Sequence, residues 1–359
     1  MWNLLRDKVF RPREGVRPFD LEVLELSKDR ITLGGVPEIK TYHQIGDEWR
    51  KSGLWGLRWD GGYAQVGAIL RIDEHQVVRE FSPIMGTLKV GDRVRTDLWP
   101  YADDPGEAFG LTPLKVSYSS PLGKFPAYLI AGSSKTWVIF VHGKLPPRKA
   151  PIAYPILPTV AELGHPALII TYRNDVGELP NPDGFHWYGL TEWEDLEGAA
   201  RYALDQGADD LILVGYSMGG AIVTHFLYRS QLTEKVRGAI LDAPMLDLST
   251  AIAHGVRDRG LPGFLTGIGK FLARVRFGVD WKALNYLSRT DELDTPILLF
   301  HGEADTVVPI ETSEALAQAR PDIVTFHRVP EATHVRSWNL DPGRYETAVR
   351  EFLNTVTLK

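Results

Sequence analysis

The segment GYSMGG at residues 215–220 constrains this chain more than any other feature of its sequence. An apolar run, LILV, precedes it and the run AIVTHFLYRS follows, so the pattern predicts a buried strand, a sharp turn and a helix. Gly215 and Gly219 leave room for this turn, because a side chain at either position would collide with the neighbouring strand or helix. The turn is expected to lift the Ser217 hydroxyl above the sheet. It also aims the Met218 N–H at a place where negative charge can develop.

Strand and helix patterns alternate over residues 111–359. Continuous apolar runs typical of buried strands include TWVIFVHG (136–143) and TPILLFHG (295–302). Residues 190–207 form an amphipathic pattern with a predicted capping box, Thr191 and Glu194, at its start. Strands separated by helices of this length predict an α/β domain, with a mostly parallel central sheet and helices on both faces.

Two regions depart from this alternation. Residues 247–290 are helical, interrupted by glycines and apolar on one side. An insertion after a strand would lie above the carboxyl ends of the strands, so we expect a small helical cap, with ordinary crossover helices as the alternative. Residues 1–110 contain short alternating runs and Gly or Asp turns, which predict an accessory segment of mixed or β-rich structure that ends in a linker near Pro105.

A serine nucleophile needs a base and an acid that orients the base. His334 is the predicted base because it stands in a loop late in the chain, whereas His225, His142, His301 and His327 occupy helix or strand positions. The predicted acid is Asp305, which gives the order Ser, Asp, His along the chain. The alternatives are Asp242, at the end of the preceding strand, and Glu303.

The oxyanion produced by attack on a carbonyl needs two N–H donors. Met218 is expected to supply the first. The loop KLPP after the strand run at 136–143 is expected to supply the second, from Lys144 with Leu145 as the alternative, because the prolines that follow have no N–H. The Lys144 side chain itself is expected to lie in solvent.

Composition excludes several other chemistries. The chain has 359 residues and no cysteine, which rules out disulfides, a cysteine nucleophile and thiolate-bound metal. A formal net charge of −6 argues against a nucleic-acid partner. No metal-ligand motif or dinucleotide fingerprint occurs, so we expect no metal and no cofactor. No signal peptide or transmembrane run is found. We therefore expect a cytoplasmic protein without stable membrane insertion, its oligomeric state left open.

Four segments together resemble the α/β-hydrolase superfamily, and within it the bacterial carboxylesterases and lysophospholipase-like hydrolases. They are His142-Gly143, GYSMGG, HGEADTVVP (301–309) and THVRSW (333–338). The resemblance covers about residues 115–355. It implies the fold of that superfamily and an acyl-enzyme mechanism on a small-molecule ester. A serine peptidase and an acylglycerol or lysophospholipid lipase are the alternatives. The Ser/Asp/His set argues against a non-catalytic binding module. The Lys-Leu-Pro-Pro loop departs from the glycine-rich oxyanion loops of many relatives.

Overall fold

The computed structural model describes residues 6–12, 18–36, 48–144 and 150–357, which divide into two compact units. The larger unit contains residues 6–12, 111–337 and 345–357, and the smaller unit contains residues 18–110 and 338–344. The predicted division at residue 110 therefore differs from the observed one in two places. The N-terminal residues belong to the larger unit, and a short segment near the C-terminus returns to the smaller one.

The smaller unit is a closed six-stranded barrel in which the strands are ordered β1-β2-β5-β4-β3-β6. The strands are β1 (Leu21–Leu26), β2 (Arg30–Gly35), β3 (Trp55–Trp59), β4 (Gly62–Ile72), β5 (Gln76–Met85) and β6 (Arg93–Asp97). Alternating side chains fill its interior, among them Val23, Leu33, Leu57, Val66 and Val94. Pairing of Leu21 with Val94 joins the first strand to the last and so removes both sheet edges. A one-turn helix, α1 (Pro105–Phe109), replaces the predicted linker, because the Asp104 carboxylate caps its first two N–H groups.

Residues 338–344 are anchored in the barrel through Asn339. Its side-chain amide donates to the carbonyl oxygens of Leu54 at 2.8 Å and Leu98 at 2.7 Å. The backbone carbonyl oxygen of Asn339 accepts the Leu54 N–H at 2.8 Å. Leu54 and Leu98 come just before β3 and just after β6, so Asn339 joins two neighbouring strands of the barrel.

One buried arginine organises the segment that enters β3. The Arg79 guanidinium is fully buried and donates to the carbonyl oxygens of Glu48, Trp49, Lys51, Gly53 and Gly67. Burial lowers the pKa of Arg79 to about 10, so the side chain keeps its charge near neutrality.

We expect Arg79→Met to lower the free energy of unfolding by about 3 kcal/mol or more, since the variant leaves buried carbonyl groups without donors. Thermal or urea unfolding of the whole chain measures the change. The control is Arg71→Met, because Arg71 is exposed on β4 and its loss should change stability by less than about 0.5 kcal/mol. Equal effects of the two substitutions would contradict this role for Arg79.

The larger unit contains an eight-stranded sheet with the strand order β14-β13-β12-β11-β9-β10-β8-β7. Its strands are β7 (Pro113–Ser120), β8 (Gly123–Ile130), β9 (Thr136–Val141), β10 (Ala167–Ile170), β11 (Asp210–Tyr216), β12 (Val236–Asp242), β13 (Ile297–Gly302) and β14 (Val324–Val329). The six strands from β9 to β14 are parallel, and β7 and β8 form an antiparallel edge. Strand order reverses between β9 and β11, and such a reversal opens a crevice at the carboxyl ends of these strands.

Helices cover both faces of this sheet. The helices that follow α1 along the chain are α2 (Leu157–Glu162), α3 (Trp193–Asp205), α4 (Met218–Arg229), α5 (Leu248–Asp258), α6 (Phe264–Phe277), α7 (Glu311–Ala319), α8 (Ser337–Leu340) and α9 (Pro342–Thr357). Side chains of α3 and α4 share one core with Ile139, Leu213 and Leu241 of the sheet. On the other face Phe300 stacks on Tyr345 of α9, with ring centroids 3.9 Å apart. Short helical turns lie at Arg6–Phe10, Glu48–Arg50, Ala150–Ala153, Thr233–Lys235 and Tyr286–Glu292.

Two local predictions need comment. The capping box at the start of α3 is wrong, because the helix begins at Trp193 after Glu192, with no side-chain cap. The Glu192 carboxylate instead accepts the N–H groups of Trp187 and Gly189 in the preceding loop. The region 247–290 forms the helix pair α5 and α6 followed by a short 3₁₀ turn, inserted between β12 and β13. No helix within the described ranges is long and apolar enough to cross a membrane.

Candidate active site

The turn between β11 and α4 carries Ser217 in a strained conformation. Its backbone angles are φ 53° and ψ −114°, a region that non-glycine residues rarely adopt. A Cβ on Gly215 would lie 2.7 Å from the carbonyl oxygen of Gly219, and one on Gly219 would lie 2.1 Å from that of Val141. These contacts are the helix and strand collisions expected from the sequence, so both glycines are required sterically.

The structure brings Ser217, His334 and Asp305 together in one chain of hydrogen bonds. His334 Nε2 lies 2.8 Å from Ser217 Oγ, and His334 Nδ1 lies 2.7 Å from Asp305 Oδ2. The carboxylate therefore fixes the tautomer that leaves Nε2 free to accept the serine proton. The geometry is that of a nucleophile, a general base and an orienting acid.

Asp305 is held from both sides. Its Oδ1 accepts the N–H groups of Val307 and Val308 at 2.8 and 2.9 Å, and its Oδ2 lies 3.3 Å from His301 Nε2 as well as near His334. Burial alone would raise the pKa of Asp305, but the charge of His334 and hydrogen bonds from His301 and His334 outweigh it. The pKa is lowered well below its ordinary value. The Asp305 carboxyl group therefore stays ionised at neutral pH.

The loops that carry the acid and the base are bonded to each other. The N–H groups of Glu303 and Ala304 donate to the carbonyl oxygens of Val329 and Ala332, both at 3.0 Å. A Cβ on Gly302 would lie 2.1 Å from the same Ala332 oxygen, so the two loops approach as closely as backbone atoms allow. The distance between Asp305 and His334 is thereby set by backbone contacts rather than by the side chains alone.

The sequence-based alternatives lie elsewhere. The Asp242 carboxylate turns to the other side of the sheet, where it accepts bonds from Ser337 Oγ and Tyr345 OH at 3.2 Å. Glu303 pairs with Arg328 at the surface. His225 packs between the rings of Trp193 and Tyr286, and His327 stacks on Phe300.

Asp242 should make stability fall as pH rises. Burial raises the pKa of this carboxyl to about 7, against smaller lowering effects from His301, Tyr345 and Ser337. The folded protein then binds the proton more tightly than the unfolded chain, so stability is lost between about pH 4 and pH 7. From about pH 5 to pH 8 the free energy of unfolding of the wild type should fall by about 2 kcal/mol more than that of Asp242→Asn. Urea unfolding at several pH values measures both. Parallel pH profiles for the two proteins would contradict this assignment.

The peptide between Gly143 and Lys144 carries the predicted second oxyanion donor. The Gly143 carbonyl oxygen lies 2.7 Å from His142 Nδ1 and accepts a longer bond, 3.4 Å, from Tyr172 OH. In a trans peptide the N–H points opposite to the C=O. The Lys144 N–H is therefore held away from the His142 ring. A Cβ on Gly143 would lie 2.9 Å from Ser217 Cβ, which places this peptide beside the nucleophile.

The contacts of His142 show how this residue supports the loop. Its Nε2 lies 2.9 Å from Asp175 Oδ2, and its ring stacks on Tyr172 with centroids 4.4 Å apart. Both ring nitrogens thus lie within hydrogen-bonding distance of an oxygen atom, which fixes the orientation of the ring. The signal in the sequence was the His-Gly pair at the end of β9, but Asp175 lies in a different loop and gave no signal of its own.

One expectation about the oxyanion loop is wrong, and another is not tested. The Lys144 side chain is partly buried, and its Nζ donates to the carbonyl oxygen of Val9 rather than lying in solvent. Leu145, the alternative donor, lies outside the described residues. Met218 is the first residue of α4, so its N–H group has no acceptor within the helix and points out of the helix N-terminus.

Among the residues that the structure describes, no group of three or more His, Asp or Glu side chains is placed to hold a metal ion.

Comparison with known proteins supports the fold. The family model described as "alpha/beta hydrolase fold" matches residues 194–291, which include the nucleophile turn. The esterase Pf2001 of Pyrococcus furiosus is similar in structure, with a TM-score of 0.58 and 21% identity over 70% of this chain and 94% of that one. The chain has the α/β-hydrolase fold. The resemblance to α/β-hydrolases that was inferred from the motifs is therefore confirmed at the level of the fold.

Two bacterial proteins described as uncharacterized are similar to this chain in sequence. The uncharacterized protein YqkD of Bacillus subtilis is 25% identical over 175 residues, 47% of this chain and 56% of that protein. The uncharacterized protein YfhR of Escherichia coli K12 is 25% identical over 150 residues, 42% of this chain and 47% of that protein. The chain thus spans about half the length of these curated relatives.

A solved structure described as a puromycin hydrolase has a TM-score of 0.55 and 17% identity over 82% of this chain and 45% of that one. In the barrel unit, residues 47–97 match a family model described only as a domain of unknown function.

Proposed function

We propose that this α/β-hydrolase cleaves carboxylic esters of small molecules through an acyl-enzyme intermediate. The observation that carries the proposal is the contact of 2.8 Å between Ser217 Oγ and His334 Nε2, on a strained strand-to-helix turn, with Asp305 on the other ring nitrogen. An esterase is also among the solved structures that share the fold.

The reaction follows from the roles of these groups. His334 accepts the Ser217 proton as Oγ attacks the carbonyl carbon, and the N–H groups of Met218 and Lys144 bind the resulting oxyanion. By analogy with measured deletions, each donor contributes about 10²–10³ in rate. His334 then gives its proton to the departing alkoxide, so the alcohol leaves and Ser217 stays acylated. Water, deprotonated by His334, attacks the acyl carbon, and the acid is released as Ser217 regains its proton.

Amide or peptide cleavage is the second candidate, because the same steps release an amine. The observation that favours it is the structural match described as a puromycin hydrolase. That match covers 82% of this chain, which is more than the larger unit alone contains. A lipase acting on acylglycerols or lysophospholipids would use the same catalytic groups and differ only in the acyl pocket.

A substrate panel separates these candidates. The purified protein is assayed on p-nitrophenyl acetate, butyrate and longer esters, on lysophosphatidylcholine and on a prolyl-peptide anilide, with labelling by a fluorophosphonate probe. We expect labelling and the highest kcat/KM on p-nitrophenyl esters. A preference for the anilide would favour the peptidase, and a protein inert to every substrate and to the probe would refute hydrolase function. Cytoplasmic location and the absence of a nucleic-acid partner stay predictions from composition.

A further inference from the structure

Helix α6 lies in residues 247–290, the region predicted to form a cap and called the cap below. Its outer face exposes an apolar stripe. Phe264, Ile268, Phe271, Leu272 and Val275 follow one another at intervals of three and four residues or are adjacent, which places them on one side of a helix. Phe264 is 67% exposed, Phe271 64% and Val275 69%. Six of the fifteen exposed large apolar side chains in the described ranges lie between residues 261 and 275, so they form one patch rather than scattered single residues.

This orientation is the reverse of the usual one for a surface helix, whose larger apolar side chains normally face the core. The buried residues of α6 are the small Gly269 and Ala273. The helix is held in this orientation by Lys270, whose Nζ donates to Ser249 Oγ and lies over the Trp281 ring, and by the Trp281 indole, which donates to the Lys270 carbonyl at 3.0 Å. The apolar stripe is therefore a fixed feature of the folded cap.

Basic side chains border the stripe. At 100° per residue, Arg274 and Arg276 stand about 100° to either side of its centre, and both are exposed. Helix α6 contains three basic residues and no acidic one. Residues 256–282 carry six Lys or Arg and two Asp, whereas the whole chain has a net charge of −6. A partner for this face must supply both apolar volume and negative charge.

We propose that the outer face of α6 binds the surface of an anionic lipid bilayer. Aromatic rings of a convex helix can enter the boundary between headgroups and acyl chains while flanking arginines meet lipid phosphates, and no preformed groove is needed. A second copy of the chain fits less well, because pairing two α6 helices would enclose their arginines without an acidic residue on either helix. The proposal does not depend on catalysis by Ser217.

Vesicle sedimentation of the full-length protein tests the proposal. We expect binding to vesicles of phosphatidylcholine mixed with phosphatidylglycerol, little binding to phosphatidylcholine alone, and weaker binding as NaCl is raised. Phe264→Ser combined with Phe271→Ser should lower the partition coefficient about tenfold or more. Arg274→Gln and Arg276→Gln should each lower it roughly fivefold and reduce the salt dependence.

Two controls keep the test specific. Leu70→Ser combined with Ile72→Ser removes exposed apolar side chains from the barrel unit and should leave binding unchanged, since neither residue lies on the cap. Ser217→Ala should also bind as the wild type does, which separates lipid binding from the proposed catalysis. Failure to bind anionic vesicles, or binding that survives both the Phe and the Arg substitutions, would overturn the proposal. So would a concentration-dependent dimer that the double Phe variant abolishes while vesicles have no effect.

Discussion

Ser217→Ala is expected to lower kcat by about 10⁶ and to abolish fluorophosphonate labelling, because the attacking oxygen is lost. The protein should remain folded, since alanine and serine face the same backbone strain at φ 53° and the neighbouring glycines are untouched. Ester turnover and probe labelling measure the effect, and circular dichroism checks the fold.

Ser230 offers a matched control at the opposite end of the same helix. Its Oγ accepts the Leu232 N–H and has no place in the proposed reaction. Ser230→Ala should be labelled by the probe as strongly as the wild type, and its free energy of unfolding should fall only slightly. If Ser217→Ala were labelled as strongly as Ser230→Ala, the nucleophile would be another residue.

Asp305→Asn is expected to lower kcat by about 10⁴ while the fold is kept. The N–H groups of Val307 and Val308 pin the oxygen at the Oδ1 position, so the new amide nitrogen must face His334. An N–H at that place forces the His334 proton onto Nε2, the nitrogen that has to accept the proton of Ser217. The nearby His301 Nε2 would also meet an amide N–H where it now meets a carboxylate oxygen.

Asp242→Asn is the matched control for the acid, since both residues are buried aspartates at the ends of neighbouring strands. Its activity should stay within a few-fold of the wild type, because its carboxylate contacts Ser337 and Tyr345 rather than the histidine. Steady-state kinetics on one p-nitrophenyl ester compares the two variants. A larger loss in Asp242→Asn than in Asp305→Asn would exchange their roles.

The sequence predicts those parts of the site that are encoded locally. Ser217 could be predicted as the nucleophile because its strand, turn and helix are adjacent in the chain. The two flanking glycines are the residues that such a turn needs for lack of space. The choice between Asp242 and Asp305 depends on which face of the sheet each carboxylate meets. In the structure Tyr345 contacts Asp242 and His334 contacts Asp305, and both partners are distant from these aspartates in sequence. Asp175 escaped prediction for the same reason, since only the folded loops bring it to His142.

The fold shows the same division. Short alternating runs predicted that residues 1–110 have mixed or β-rich structure, but closure of the barrel depends on the pairing of Leu21 with Val94, which no local pattern encodes. The cap region was predicted to be helical. The exposure of Phe264 and Phe271 was not, because an apolar period of 3.6 marks one side of a helix without saying what that side faces.

The return of residues 338–344 to the barrel means that the barrel cannot be removed by deleting one stretch of chain. Cutting at residue 110 would take away Leu54 and Leu98, the acceptors of Asn339, and leave that residue's amide unpaired five positions after His334. A truncated enzyme that lost activity would therefore say little about substrate binding by the barrel. The piece suitable for exchange between relatives is discontinuous, and a chimera has to carry both of its segments together.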